Sequence, residues 1–173
     1  MRETQESIAK WASETFGEAG SNARVAARAN EEMAELVLAR ASQDATDAEL
    51  LAECADVAIV LCRLAYRMGF DLHLYPHLNE WAHIINYNDS DDKTVAKANA
   101  CMSKLLRALT SDDNSPDAQE YANGCVDMLL QLSAFLDFDL VREIDKKMAI
   151  NRARVWKQDG TGHGYHVREK VAS

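Results

Sequence analysis

Two short stretches carry acids among apolar neighbours. Residues 30–40 read NEEMAELVLAR, with Glu31, Glu32 and Glu35; residues 53–62 read ECADVAIVLC, in which Glu53 and Asp56 open one of the most apolar runs in the chain. Helical residues three apart lie about 5–6 Å from one another between Cβ atoms, so Glu32 shares a face with Glu35, and Glu53 with Asp56. Val25, Ala29, Met33 and Leu36 mark the buried stripe of the earlier helix; Glu32 falls inside it, Glu35 at its margin and Glu31 toward water. The residues after Asp56 are apolar nearly all round, which sinks that helix into a bundle and takes two carboxylates with it. Four carboxylates converging in a partly buried site must take up protons or share a cation. Oxygen-only ligation points to Mg²⁺ or Mn²⁺ rather than zinc.

Two other readings compete for these acids. The first makes them solvated faces paired with Arg28 or Arg40, and for a lone ExxE it would win. EExxE followed by ExxD on a buried helix reverses that preference. The second is a di-iron carboxylate bundle, which needs Glu-x-x-His on two helices. The chain offers Glu80 and His83 in NEWAH and no second copy, so this reading is set aside.

The elements that must hold these side chains are helices. Only 2 prolines and 7 glycines punctuate the chain, and no convincing period-two strand pattern occurs. The pattern predicts helices over residues 4–16, from after GEAGSN to residue 41, and from the capping box TDAE (Thr46 to Glu49) to Met68 before Gly69. A fourth segment contains Pro76 and HLNEWAHII, and a fifth spans residues 94–109. A sixth begins with Ser115 as N-cap and Pro116 at the first helical position, and a last one runs over residues 140–156. The expectation is one all-α domain over residues 1–173, a bundle of six to seven helices. CADVAIVLC (54–62) and CVDMLLQLS (125–133) align without gaps and each precedes an FDL, an echo in which Gly124 replaces Glu53.

Length and composition bound the function. A chain of 173 residues can bury a real core. With 28 acids against 19 bases the net charge is −9, which disfavours a nucleic-acid partner but tolerates a phosphorylated small molecule carried with a cation. Cys54, Cys62, Cys101 and Cys125 form no CxxC and read as reduced packing residues. MRETQESIAK has no apolar leader core, and no run reaches the ~18 apolar residues of a membrane span, so a cytoplasmic protein is expected.

EExxE, 17 intervening residues and then ExxD resembles the motif of the MazG-like all-α nucleoside triphosphate pyrophosphohydrolases. KKMAINRARVW followed by DGTGHGYHV, and KWASETFG near the N-terminus, are similar to the phage dATP/dGTP diphosphohydrolase branch of that superfamily. The resemblance covers roughly residues 5–70 and 138–168. It implies metal-dependent hydrolysis of a purine (deoxy)nucleoside triphosphate, dGTP or GTP first, to the monophosphate and pyrophosphate. It also implies Glu32, Glu35, Glu53 and Asp56 as ligands to Mg²⁺ or Mn²⁺, and Lys147, Asn151 and Arg154 as phosphate or sugar contacts. Those three stand at i, i+4 and i+7, on one face of the last helix. Glu35 is the candidate to orient or deprotonate the attacking water, and Trp11 a candidate surface for the base, although a Trp on an apolar helix face is more often core.

Two departures from that branch stand out. Asp56 and Lys147 lie 91 positions apart, whereas the branch joins the two helices almost directly, so residues 72–136 are an expansion. Asp127, in the echo, is a further acid that can reach the site. Two alternatives stay open: the same fold acting on dUTP or dCTP, and a non-enzymatic helical interaction protein. The resemblance also implies a homodimer or homotetramer. Val95, Leu105, Leu106, Met128, Leu129, Leu132 and Phe135 would then line a subunit interface or complete the core, and the tail from Asp159 to Val167 would reach a neighbour's nucleotide pocket.

Overall fold

The computed structural model describes residues 2–74, 89–158, 160 and 162–166. Among them are six helices: α1 (Gln5–Phe16), α2 (Asn22–Ala41), α3 (Asp47–Met68), α4 (Asp91–Ser111), α5 (Ala118–Phe135) and α6 (Leu140–Ala153). The fold is all-α, as expected. A small antiparallel hairpin follows the last helix, β1 (Trp156–Gln158) pairing with β2 (Gly164–His166), with Trp156 opposite His166. The expected segment with Pro76, Glu80 and His83 lies outside the described residues.

Local chemistry sets most helix ends. In α3 the capping box forms: Thr46 N–H donates to Glu49 Oε2 at 2.8 Å, and Glu49 N–H donates to Thr46 Oγ1 at 3.3 Å. Gly69 closes α3 in the left-handed conformation at φ 77°, which a side chain would resist. Three boundaries differ from expectation. Ser90, not a residue nearer Thr94, caps α4, its Oγ accepting the Lys93 N–H at 3.3 Å. Ser115 is not the cap of α5: its carbonyl accepts the Ala118 N–H at 3.2 Å, so Pro116 sits in a tight turn before the helix. The last helix stops at Ala153 because Arg154 turns extended (φ −77°, ψ 150°) and leads into β1.

Helix α3 is the axis of the fold and packs against α1, α2, α5 and α6; α2 also packs on α4, and α4 on α5. Leu51, Val57, Ala58, Leu61 and Leu64 are fully buried on α3, and each large aliphatic side chain so buried contributes about 1.5–3 kcal/mol. Val95, Leu105, Leu129 and Leu132 enter the same core, with Leu106 and Met128 packed against it. Of the two uses expected, completing the core is the one Val95, Leu105, Leu129 and Leu132 serve, while Leu106, Met128 and Phe135 are only partly buried. The cysteines are free, and burial pushes the thiols of Cys54 and Cys62 up to about 12, as expected of packing residues. No helix among the described residues is long and apolar enough to cross a membrane.

One connection ties the central expansion to the acid-bearing helix. Asp113, between α4 and α5, accepts the Asn22 N–H at 3.1 Å and the Ala23 N–H at 2.8 Å, while Asn22 Nδ2 donates to the Asp113 carbonyl at 2.8 Å. A carboxylate on free amides at a helix N-terminus is favourable in hydrogen bonding and in the helix dipole. Asp113→Ala is therefore expected to cost about 1–2 kcal/mol in urea unfolding. An unchanged midpoint would mean that the cap adds nothing to the placement of α2.

Candidate active site and metal centre

A cleft of about 820 Å³ opens where α1, α2, α3, α6 and the hairpin meet. Its lining is chemically mixed. Glu31, Glu32, Glu35, Glu53 and Asp56 contribute acids, Trp11, Phe16, Ile59, Val60 and Trp156 apolar surface, and Arg28, Lys147, Asn151 and Arg154 also face it.

The acidic cluster follows from helical spacing. Carboxylate oxygens of Glu32, Glu35 and Glu53 lie within 4.8 Å of one another, a separation that suits a shared cation and disfavours three bare anions. Glu32 is buried, Glu53 half-buried and Glu35 exposed at the rim. Burial pushes the Glu32 carboxyl up to about 7, with Asp56, Glu35 and Glu53 adding to the rise; the short ion pair with Arg28 opposes it and is outweighed. Burial, then the Asp56 charge, also raises Glu53, against the pull of Lys147. Glu53 Oε2 is buried with no hydrogen-bond partner among the described residues. A buried carboxylate oxygen without a donor costs several kcal/mol unless something positive reaches it. The donor set is all oxygen and the orphaned atom sits within it, so these residues fit a hard divalent ion.

Asp56 stands apart from the other three. Its Oδ2 lies 2.5 Å from Lys147 Nζ, and both side chains are largely buried. Burial raises the Asp56 carboxyl, while Lys147 and Arg154 pull it back down. The lysine expected to hold phosphate thus holds an acid expected to hold metal. Asn151, buried on α6, and Arg154 are joined, Arg154 Nη1 donating to Asn151 Oδ1 at 3.3 Å. Arg154 lies just past the helix rather than on its face, yet it still lines the cleft. The Arg28 pairing anticipated for solvated acids is present with Glu31 and Glu32, and Arg40 pairs with Asp92 instead.

Asp127 does not join this site. It faces a separate cleft with Asn123 and Glu120, and its carboxylate lies 3.3 Å from His73 Nδ1. The echo preserved its place on α5, but the cleft it lines is not the one lined by the acids of α2.

Trp11 packs edge-on against Phe16 (5.4 Å) and Trp156 (6.0 Å) and is only 9% exposed, so it is mostly core. Trp156 is the more exposed of the two tryptophans, and its Nε1 donates to the Asn151 carbonyl at 2.7 Å. Of the described tail residues, His163 and Gly164 line the cleft of their own chain. Sequence reasoning missed Trp156, His163 and Arg63 as cleft residues. Arg63 alone carried a signal, the one charge between Asp56 and Arg67 in an apolar stretch.

No family model matches the chain, and no solved structure matches it. The chain is similar to the dATP/dGTP diphosphohydrolase of Cyanophage S-2L, 29% identical over 94 residues that cover 54% of this chain and 85% of that protein. That likeness supports a relationship to enzymes that hydrolyse nucleoside triphosphates, and it leaves close to half of this chain without a counterpart there.

Proposed function

We propose that this protein is a metal-dependent purine (deoxy)nucleoside triphosphate diphosphatase of the MazG-like type, dGTP or GTP being its first candidate substrate. The reaction adds water across the link between the α and β phosphoryl groups and releases the monophosphate and pyrophosphate. Within the phage branch the resemblance extends to MazZ, a (d)GTP diphosphatase, which would place the activity in phage nucleotide metabolism. The observation that carries this reading is the cluster of Glu32, Glu35 and Glu53, with its orphaned Glu53 oxygen, in a cleft that aromatic side chains also line. The similarity to a dATP/dGTP diphosphohydrolase supports it independently.

Glu32, Glu35 and Glu53 would hold Mg²⁺ or Mn²⁺, with Asp56 as the fourth ligand once Lys147 is drawn away. When bound, such an ion supplies the positive charge that brings phosphate oxygens and water together. Glu35, exposed at the rim, orients the attacking water and takes its proton. Lys147 exchanges the Asp56 carboxylate for a phosphate oxygen, and Arg154 holds a second phosphate. Asn151 serves the sugar or a phosphate, and the base lies beside Trp11 and Trp156. A homodimer or homotetramer remains part of the proposal. It has to be built from faces other than the α4 and α5 residues already spent in the core.

Mn²⁺ titration by calorimetry, followed by a panel of triphosphates with pyrophosphate detection, tests the reading. Metal binding and pyrophosphate release from purine triphosphates are expected. Release from dUTP or dCTP alone would keep the fold's chemistry and change the substrate. Neither binding nor release would leave the acids as plain surface.

The exchange of partners by Lys147 makes a separate prediction. Lys147→Ala frees Asp56, so Mn²⁺ affinity should hold or rise while affinity for a non-hydrolysable dGTP analogue falls about tenfold or more. Arg154→Ala should weaken the analogue alone. Equal losses of metal and analogue in both variants would make the last helix scaffold.

A further inference from the structure

Arg63 lies on α3, 4% exposed, in an otherwise apolar stretch, and no carboxylate answers its charge among its described hydrogen bonds. Nη1 donates to the Gly162 carbonyl at 2.6 Å and Nη2 to the Gly17 carbonyl at 2.7 Å. Burying a guanidinium whose hydrogen-bond acceptors are backbone carbonyls is costly, and an apolar side chain would fill the position at less expense. What a guanidinium adds is a rigid fork that reaches two backbones at once. One of them is the corner between α1 and α2; the other is the segment between β1 and β2.

Other contacts fasten the same hairpin. Gln158 Nε2 donates to the Thr15 carbonyl at 2.8 Å, and Trp156 packs edge-on against Phe16 at 5.1 Å. Gly162 has φ 87°, and a Cβ there would stand 2.5 Å from Ala19 Cα, so no other residue fits without moving the two segments apart. Trp156, His163 and Gly164, which this fastening holds, line the same cleft as the acids.

We propose that Arg63 is a positioning residue for base recognition: by clasping the Gly17 and Gly162 carbonyls it fixes the β1–β2 hairpin as the wall against which the purine is read. The inference rests on the nucleotide reading given above and adds to it the part of the chain that selects the base. Glu32, Glu35 and Glu53 are partners in none of these contacts, which separates the effects of the clasp from those of the acids.

Arg63→Lys, which can reach only one carbonyl at a time, and Gly162→Ala, which pushes the hairpin away without touching α3, disturb the clasp from opposite sides. In both, KM for dGTP should rise about tenfold or more, and the preference for purine over pyrimidine triphosphates should shrink. Turnover number should stay within about threefold and Mn²⁺ affinity should be unchanged. Gly162→Ala leaves the helical core intact, so the test survives even if Arg63→Lys fails to fold. Unaltered KM and base preference in folded variants would overturn the clasp while hydrolysis by the wild type stands. Loss of Mn²⁺ affinity in step with activity would overturn it too, by making Arg63 a support of the whole fold. A wild type inert toward every triphosphate would remove the nucleotide reading and the clasp's role together.

Discussion

Glu53→Gln is expected to lose more than about 100-fold in pyrophosphate release while the protein stays folded. Glu53 contributes to the cluster a buried oxygen that no donor among the described residues satisfies, so apart from the pull of Lys147 its charge has no structural partner to lose. An amide fills the same volume, keeps a carbonyl oxygen and removes one negative charge from beside Glu32, Glu35 and Asp56. The metal-free variant should therefore melt no lower than the wild type, and relief of repulsion favours a higher midpoint. Mn²⁺ calorimetry on the same sample should show the binding isotherm flattened. Near wild-type hydrolysis with the charge gone would remove Glu53 from the site.

The second large effect is a pH dependence of stability in the absence of metal. Glu32 ionises near 7 in the native state and near 4.5 as an ordinary carboxyl. Between those values the native protein keeps a proton that the unfolded chain has already released. The native state binds more protons there, so stability falls as pH rises through the window. The loss amounts to roughly 3 kcal/mol for a displacement of this size. Urea unfolding in chelator at about pH 5 and about pH 7.5 should show the wild type losing that much more than Glu32→Gln. Added Mn²⁺ should stabilise the wild type most at the upper pH, where the ion no longer competes with a proton. Parallel wild-type and variant profiles would contradict a Glu32 carboxyl whose burial outweighs its pairing with Arg28.

What the sequence revealed follows from the range of the forces involved. Helix periodicity is local, so the shared faces of Glu32 with Glu35 and Glu53 with Asp56 could be read directly, as could the capping box at Thr46 and the stop at Gly69. The Lys147–Asp56 pair could not, because it depends on how closely α6 docks on α3. The Asp113 cap on α2 joins residues about 90 positions apart, and no spacing rule reaches that far. The hairpin escaped for another reason. Strands of three residues carry too little alternation to see, and this pair is fixed by Arg63, Thr15 and the aromatic cluster rather than by its own pattern. Asp127 misled because an echo in sequence preserves a position on a helix and says nothing of which side of the bundle that helix occupies.

Product analysis of dGTP incubated with the protein and Mn²⁺ bears most directly on the proposed chemistry. Chromatography should find dGMP and pyrophosphate in equal amounts, with neither formed by Glu53→Gln. Formation of dGDP with orthophosphate, or dGTP and the other purine triphosphates left intact at saturating metal, would contradict the assignment.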